Sequence, residues 1–440
     1  MLEAIQNAMR LPDLRRKILF TLFILVIYRV AAHIPVPGVD LNALAQVFNP
    51  QNATATSSLL SVLDIFSGGA LSTFSVVAMG VYPYITASII VQLLTPIIPQ
   101  LEALQKEGEQ GRRRLNQYTH WLTIPLALLQ GIGQASIMAN TQPPVLPGFN
   151  ALALINPTSP QFISTWSIMV TLTAGTMFAL WLGELISEQG IGSGVSIIIF
   201  GGIVAAIPTR IFQLATTSGT TLLIFLIITL ITVVGIVYLQ EGQRRIPVQY
   251  GKRVRGMRVY GGGSTYIPLR VNSAGMIPLI FAVSILIFPA LIASWFQNSN
   301  VEWVRNLAIS IVNLFNTTGW FYAATYFVMV ILFTFFYTFI VFQQQNIAET
   351  LQQQGGFIPG IRPGPQTTRY LNGVVMRITI VGAIGLGLIA ILPFLERSGA
   401  ETQTLIVSST GLLIVVGVVL DTMKQLEAQL MMRHYEGFIK

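Results

Sequence analysis

The chain has 440 residues, of which 53% are hydrophobic and only 10% charged, with a formal net charge of +8. Soluble domains carry roughly 25% charged residues, so a deficit spread over the whole length makes this a polytopic membrane protein. It has no cysteine, which excludes disulfides, thiolate metal sites and cysteine nucleophiles, and His33, His120 and His434 lie too far apart in sequence to suggest a metal cluster.

Apolar runs of about 18 residues or more mark membrane-spanning helices. Ten are predicted, at about 18–36, 74–98, 119–139, 163–186, 193–208, 221–240, 274–296, 320–342, 373–395 and 403–423. The first follows Arg15-Arg16-Lys17 and ends near Val30-Ala31-Ala32, a pattern shared with cleavable signal peptides. Arg29 inside the apolar stretch and the weak cleavage site favour a retained span. Residues 37–60 are rich in Asn, Thr, Ser, Pro and Gln, as solvated loops are. Residues 61–72 ("SVLDIFSGGALS") begin like a helix, break at Gly68-Gly69, and are too short and too polar to cross a bilayer. They lie outside, at the entrance to the second span. The loop at 140–162 is again polar.

Past the fifth span, "GIGSG" at 190–194 lacks the spacing of a G-x-S-x-G elbow; its glycines suit close helix approach or a tight turn. Ser193 and His120 both fall near cytoplasmic ends of spans, but no nucleophile–base–orienter set is visible. Residues 244–272 ("RRIPVQYGKRVRGMRVYGGGSTYIPLRVN") read as a projecting hairpin, with β-like stretches near Ile246–Tyr250 and Thr265–Val271 around a basic, glycine-containing tip. Seven basic residues on one arm exceed what topology needs. They suit an anionic partner: RNA phosphate, an acidic protein face or anionic lipid. Residues 301–316 ("VEWVRNLAISIVNLFN") place apolar groups at helical spacing, as an interfacial helix on the outer surface does. Residues 343–372 ("QQQNIAETLQQQGGFIPGIRPGPQTTRYLN") form a second arm, in which Pro359-Gly360 and Pro363-Gly364-Pro365 fix a turn that presents Arg362.

Under strict alternation, 21 of the 25 basic residues fall in loops on one side of the membrane. The positive-inside rule makes that side, with both termini, cytoplasmic. Ten spans divide into two sets of five, and an odd-numbered half inserts upside down when duplicated, so an inverted repeat is permitted although no sequence repeat is evident. Arg29 is the only ionisable residue well inside a span; Glu184, Arg377 and Asp421 sit near ends. A secondary transporter with five-plus-five inverted repeats needs buried carboxylates and has no use for two basic arms, so it is the weaker reading.

"FSGGALS", "YPYITASIIVQLLTP", "KEGEQGRRRLNQYT", "GTMFALWLGELISEQGIGSGVSIIIFGGIVA", "EGQRRIPVQYGKR", "NSAGMIPLIFA", "GFIPGIRPGPQT" and "LLIVVG" follow one another as in the SecY family, the channel subunits of the bacterial protein translocase. The resemblance covers essentially the whole chain. It implies an all-α polytopic protein of ten transmembrane helices in two inverted five-helix halves, 1–208 and 209–440. These form a clamshell around an hourglass pore, with arms at about 241–272 and 343–372. It implies a protein-conducting, non-enzymatic channel with no cofactor. By this resemblance Asp64, Ile65, Phe66, Ser67, Gly68, Gly69, Ala70 and Leu71 belong to a plug in the external funnel, and Val81, Ile85, Val195, Ile280 and Ile414 match the pore ring. Gln92 and Asn272 match polar positions of a lateral gate, able to hydrogen-bond across its closed seam. Lys252, Arg253, Arg255, Arg258, Arg362 and Arg369 match docking sites for the motor ATPase SecA and the ribosome, with its rRNA phosphates. The implied partners also include the small membrane subunits SecE and SecG, signal-bearing preproteins and anionic lipids. The implied location is the bacterial inner membrane, with a thylakoid membrane as the alternative.

Overall fold

The computed structural model describes residues 11–48, 60, 63–64, 67–141, 143–154, 156–217, 219–250, 253–255, 258–260, 263–275, 277–297, 301–315, 319–344, 347–395 and 403–436. Each of the ten apolar runs falls on a helix: α1 (Pro12–Ala31), then, after the short α2 (Leu41–Val47), α3 (Tyr82–Leu94), α4 (Pro99–Lys106), α5 (Glu109–Ala139), α6 (Phe162–Gln189), α7 (Gly194–Thr217) and α8 (Gly219–Glu241). Four strands follow, β1 (Gln243–Tyr250), β2 (Arg253–Arg255), β3 (Arg258–Tyr260) and β4 (Ser264–Arg270). The chain continues through α9 (Ile277–Phe296), α10 (Glu302–Leu314), α11 (Trp320–Gln344), α12 (Ile347–Gln353), β5 (Gly356–Phe357), α13 (Pro365–Leu395) and α14 (Gln403–Glu436). Among the described residues α5, α6, α9, α11 and α13 are long and apolar enough to cross a membrane, and α3 with α4 makes a sixth if that pair, bent by 99°, counts as one span. The α1 helix falls short because it carries Arg15, Arg16, Lys17 and Arg29 within its 20 residues.

The helix boundaries differ from the apolar runs where polar chemistry intervenes. The second run begins at residue 74, yet α3 begins only at Tyr82, because residues 70–81 form successive turns. Phe74 lies there in the left-handed region (φ 40°), which costs a non-glycine residue about 1–2 kcal/mol. Its carbonyl accepts the Val36 N–H at 3.0 Å, and the Val76 N–H donates to Ile34 at 2.9 Å, so this stretch is tied to the chain leaving α1 rather than wound into α3. The bend after α3 follows from Pro96 and from Pro99 at the first turn of α4, where a missing N–H costs nothing. α5 starts ten residues before its apolar run because the polar stretch from Glu109 continues the same helix.

One apolar core draws on α1, the turns at 70–81, α3, α5, α6, α7, α9, α11, α13 and α14. α9 packs against both α3 and α5, and α14 against α7. Belts of exposed aliphatic and aromatic residues, such as Leu19, Leu22, Phe23 and Val26 on α1 and Leu230, Ile231 and Val234 on α8, face outward. A chain immersed in lipid can leave such belts uncovered.

The expected hairpin is present and gains a third strand. β1 pairs antiparallel with β4 in the register Gln243↔Arg270 through Gln249↔Ser264. β5, from the second arm, adds to the other edge of β1 through Gln249↔Phe357 and Tyr250↔Gly356. Ile246 and Val248 point to one face of β1 and are buried with Leu269, Leu351, Ile358 and Leu371, so the two arms share a small core seated on α13. β2 and β3 pair with each other at the tip.

Candidate functional site

The segment at 60–75 is built from its own polar groups. The Asp64 carboxylate accepts the N–H groups of Leu71 (3.1 Å) and Ser72 (2.9 Å), and Ser67 Oγ donates to the Asp64 carbonyl at 3.0 Å. The aspartate that bars the segment from lipid thus folds it back on itself. Gly68 and Gly69 both take positive φ (67° and 81°), the conformation that reversal requires. The apolar face is covered: Leu60, Leu63, Ala70 and Leu71 are buried in the main core. Ile65 and Phe66 lie outside the described residues.

Two helices grip this segment by its backbone. Tyr28 Oη donates to the Ser67 carbonyl at 2.6 Å and Arg29 Nη1 donates to the Gly68 carbonyl at 2.9 Å. Thr73 Oγ1 donates to the Ala32 carbonyl at 2.7 Å. Gly202 of α7 also meets Gly68 backbone to backbone; a Cβ on Gly202 would fall 2.0 Å from Gly68 Cα. The anomalous Arg29 of the first span therefore has a partner in the plug-like segment. Neither Tyr28 nor Gly202 is distinguishable in sequence from ordinary packing residues, and only the isolated charge of Arg29 signals the contact.

The five ring candidates belong to the same extended core as that segment. Val81, Ile85, Ile280 and Ile414 are buried in the main core, and Val195 is half-buried against it. A cavity of about 10 Å³ remains where Leu63 meets Tyr82, Gln130 and Gln134 on α3 and α5, and Leu291 on α9. The seam where α9 meets α3 and α5 is bridged by Tyr82, whose Oη donates to the Ser284 carbonyl at 3.2 Å. Gln92 and Asn272 do not make such a bridge among the described residues. Gln92 Nε2 donates to Ser88 Oγ one turn back at 3.0 Å, and Asn272 Nδ2 donates to the Gly275 carbonyl at 2.8 Å. Each amide nitrogen donates to a partner within four residues, while Asn272 Oδ1 stays buried without a partner among the described residues.

On the arms, Arg244, Arg245, Arg362 and Arg369 are exposed and among the described residues none is ion-paired. Lys106 and Arg113, by contrast, pair with Glu102 (2.6 Å) and Glu109 (3.3 Å) one turn away; such exposed pairs are worth about 0.3–0.5 kcal/mol each. The turn bearing Arg362 is set by Gly360 and Gly364 at positive φ (82° and 108°) and by Thr367 Oγ1, which donates to the Arg362 carbonyl at 3.0 Å. Arg369 borders an open cleft of about 510 Å³ with Glu349, Gln352 and Asn372. Arg253, Arg255 and Arg258 lie on β2 and β3, and Lys252 is outside the described residues. The other candidate pair separates: His120 Nε2 engages Glu184 Oε1 at 3.0 Å, while Ser193 Oγ accepts from Ser196 Oγ at 3.3 Å. Among the described residues no group of three or more His, Asp or Glu could hold a metal ion.

These features have counterparts in known proteins. The sequence profile of SecY matches residues 75–423. The Protein translocase subunit SecY of Thermotoga maritima is 44% identical over 445 residues, covering 100% of this chain and 98% of its own. That of Mycobacterium tuberculosis strain H37Rv is 44% identical over 450 residues, covering 100% of both. A solved structure described as "The structure of a protein conducting channel" has the same fold, with a TM-score of 0.63 at 16% identity over 96% of each chain. Sec61 in the canine ribosome–channel complex from the endoplasmic reticulum follows at 0.59 and 15%, again over 96% of each. With a profile match over most of its length and relatives aligned from end to end, the chain belongs to the SecY family.

Proposed function

We propose that this SecY-family chain is a channel that conducts unfolded preproteins across the membrane and releases hydrophobic segments sideways into lipid. The observation that supports the reading is that Leu60, Leu63, Ala70 and Leu71 share one core with Val81, Ile85, Ile280 and Ile414, with Val195 packed against it, while α1 and α7 grip the Ser67-Gly68 backbone. In this reading Asp64–Leu71 is the plug, and Val81, Ile85, Val195, Ile280 and Ile414 are the constriction. Branched aliphatic side chains make a compliant, apolar ring that dewets and blocks ions, yet yields to a passing chain. Ten spans in two inverted halves, 1–208 and 209–440, close as a clamshell with both termini cytoplasmic. α9 against α3 and α5 is the lateral gate.

At that gate a segment partitions by its own hydrophobicity: each Leu at a helix centre contributes about −0.5 kcal/mol and each charged residue costs about 3. No covalent step is required; the work comes from SecA, the ribosome or the membrane potential. Arg362 and Arg369, with Lys252, Arg253, Arg255 and Arg258, supply the docking charge for SecA and for rRNA phosphate. SecE and SecG complete the complex within the bacterial inner membrane or a thylakoid membrane, where anionic lipid faces the basic side. Deletion of residues 62–72 tests the reading in planar bilayers. Resting ion leak is expected to rise with some translocation retained, and unchanged conductance would remove the plug assignment.

A further inference from the structure

The external end of α1 carries a cation that a membrane span has every reason to avoid, and its recorded bond is to backbone. Arg29 donates to the Gly68 carbonyl at 2.9 Å and Tyr28 to the neighbouring Ser67 carbonyl at 2.6 Å. Consecutive residues of the helix thus hold consecutive carbonyls of the plug segment. Its base is tied separately, through the bridge between Pro35 and Ser75 and the bond from Val36 N–H to the Phe74 carbonyl. Between crown and base lie Gly69 at positive φ and the strained Phe74. A segment anchored in this way can swing on its base only after the crown is released.

We propose that Tyr28 and Arg29 form a latch on the plug backbone, and that Arg29 is a positioning residue that sets how often the resting channel opens. This rests on the reading of residues 60–72 as the plug. An arginine suits the role because a charge-assisted hydrogen bond is about twice as strong as a neutral one, and its rigid planar fork loses little freedom on binding. Arg29 is only half-buried, so it can rehydrate in a wet funnel when the plug leaves. The latch is then reversible instead of leaving a dry, unpaired charge behind. Because it recognises carbonyls, it tolerates any plug side chain that keeps the backbone path; Gly68, pressed against Gly202, is the exception.

The absence of cysteine makes a direct test available in proteoliposomes. Leu71 is fully buried, so the thiol of a Leu71→Cys variant reacts with a small water-soluble maleimide only when the plug lifts. Adding Arg29→Gln is expected to raise both the labelling rate and the resting conductance about tenfold. Tyr28→Phe, which keeps the ring packing, should raise them by a smaller factor. Arg29→Lys, which keeps a charged donor, should fall between wild type and Arg29→Gln, which keeps only a neutral one; a lysine variant no better than glutamine would overturn the claim that a charge-assisted bond holds the plug. Val418→Cys, buried on α14, is the control for general loosening. An equal rise in labelling there would assign the effect to folding and overturn the latch. If deletion of 62–72 leaks but Arg29→Gln labels at the parental rate, the latch falls and the plug stands. If the deletion does not leak, the plug reading falls and the latch with it.

Discussion

Gly202→Ala applies the smallest possible wedge between α7 and the plug segment. The added Cβ would lie 2.0 Å from Gly68 Cα and 2.6 Å from its carbonyl carbon and oxygen. Carbon atoms pack at about 3.5–4.0 Å, so the two backbones must part by roughly 1.5–2 Å. No side chain can rotate away to absorb the overlap, because both partners are glycines. A shift of that size breaks the 2.9 Å bond from Arg29 to Gly68, worth about 1.5–3 kcal/mol as a bond to a charged group, and strains the Tyr28 bond, worth about 1. A loss of about 2.5–4 kcal/mol lowers the ratio of seated to lifted plug by roughly two orders of magnitude or more, at about 1.4 kcal/mol per tenfold. Resting conductance in planar bilayers measures this directly. The control is the neighbouring Gly201→Ala, whose Cβ would meet the Leu25 side chain at 2.7 Å, a contact that a rotamer change relieves. If Gly202→Ala seals as well as Gly201→Ala, the backbone-to-backbone seat does not hold the plug.

Three further perturbations probe the gate and the arms. Tyr82→Phe removes one neutral hydrogen bond across the seam, about 0.5–1.5 kcal/mol, while keeping the ring in place. The hydrophobicity threshold for lateral insertion should drop by about one to three leucines at about 0.5 kcal/mol each, read with a graded series of test segments; an unmoved threshold would dismiss Tyr82 as a gate contact. Reversal of charge in Arg362→Glu should weaken binding to ribosomes or SecA about tenfold and flatten its salt dependence, without changing topology by protease mapping. Binding equal to wild type would sink the docking role. Leu351→Ala cuts the small core under both arms at a cost of about 2–4 kcal/mol, and should speed limited proteolysis within 243–270 as well as near residue 351. Cleavage confined to the second arm would show that the arms are not coupled.

Much of the fold was legible because it follows from burial in lipid. Apolar runs of sufficient length, interrupted by arginines and prolines, fall on helices, and the alternation around Ile246 and Val248 marks the hairpin strand. What stayed hidden depends on contacts between distant residues. β5 is two residues long, Gly356-Phe357, inside a proline- and glycine-rich loop, so no strand pattern announces it. Tyr82 looks like one more apolar residue of its helix, and its seam bond depends on Ser284, two hundred residues away. Gln92 and Asn272 carry the polar chemistry expected of a gate, but near partners, Ser88 and Gly275, claim their amides first. Arg29 was conspicuous in sequence as a charge out of place; its meaning needed the Gly68 carbonyl, 39 residues further on.

The pairing of β1 with β5 also orders events in time. The first arm leaves the synthesis machinery well before the second, separated from it by α9, α10 and α11. Until Gly356 and Phe357 arrive, one edge of β1 has no strand beside it and Ile246 and Val248 lack the cover of Leu351 and Ile358. The complete three-stranded sheet is therefore assembled only after most of the chain has been made. A half-synthesised molecule cannot present it. Strand pairing of this kind braces the two arms against each other, and the brace closes only when both have been made.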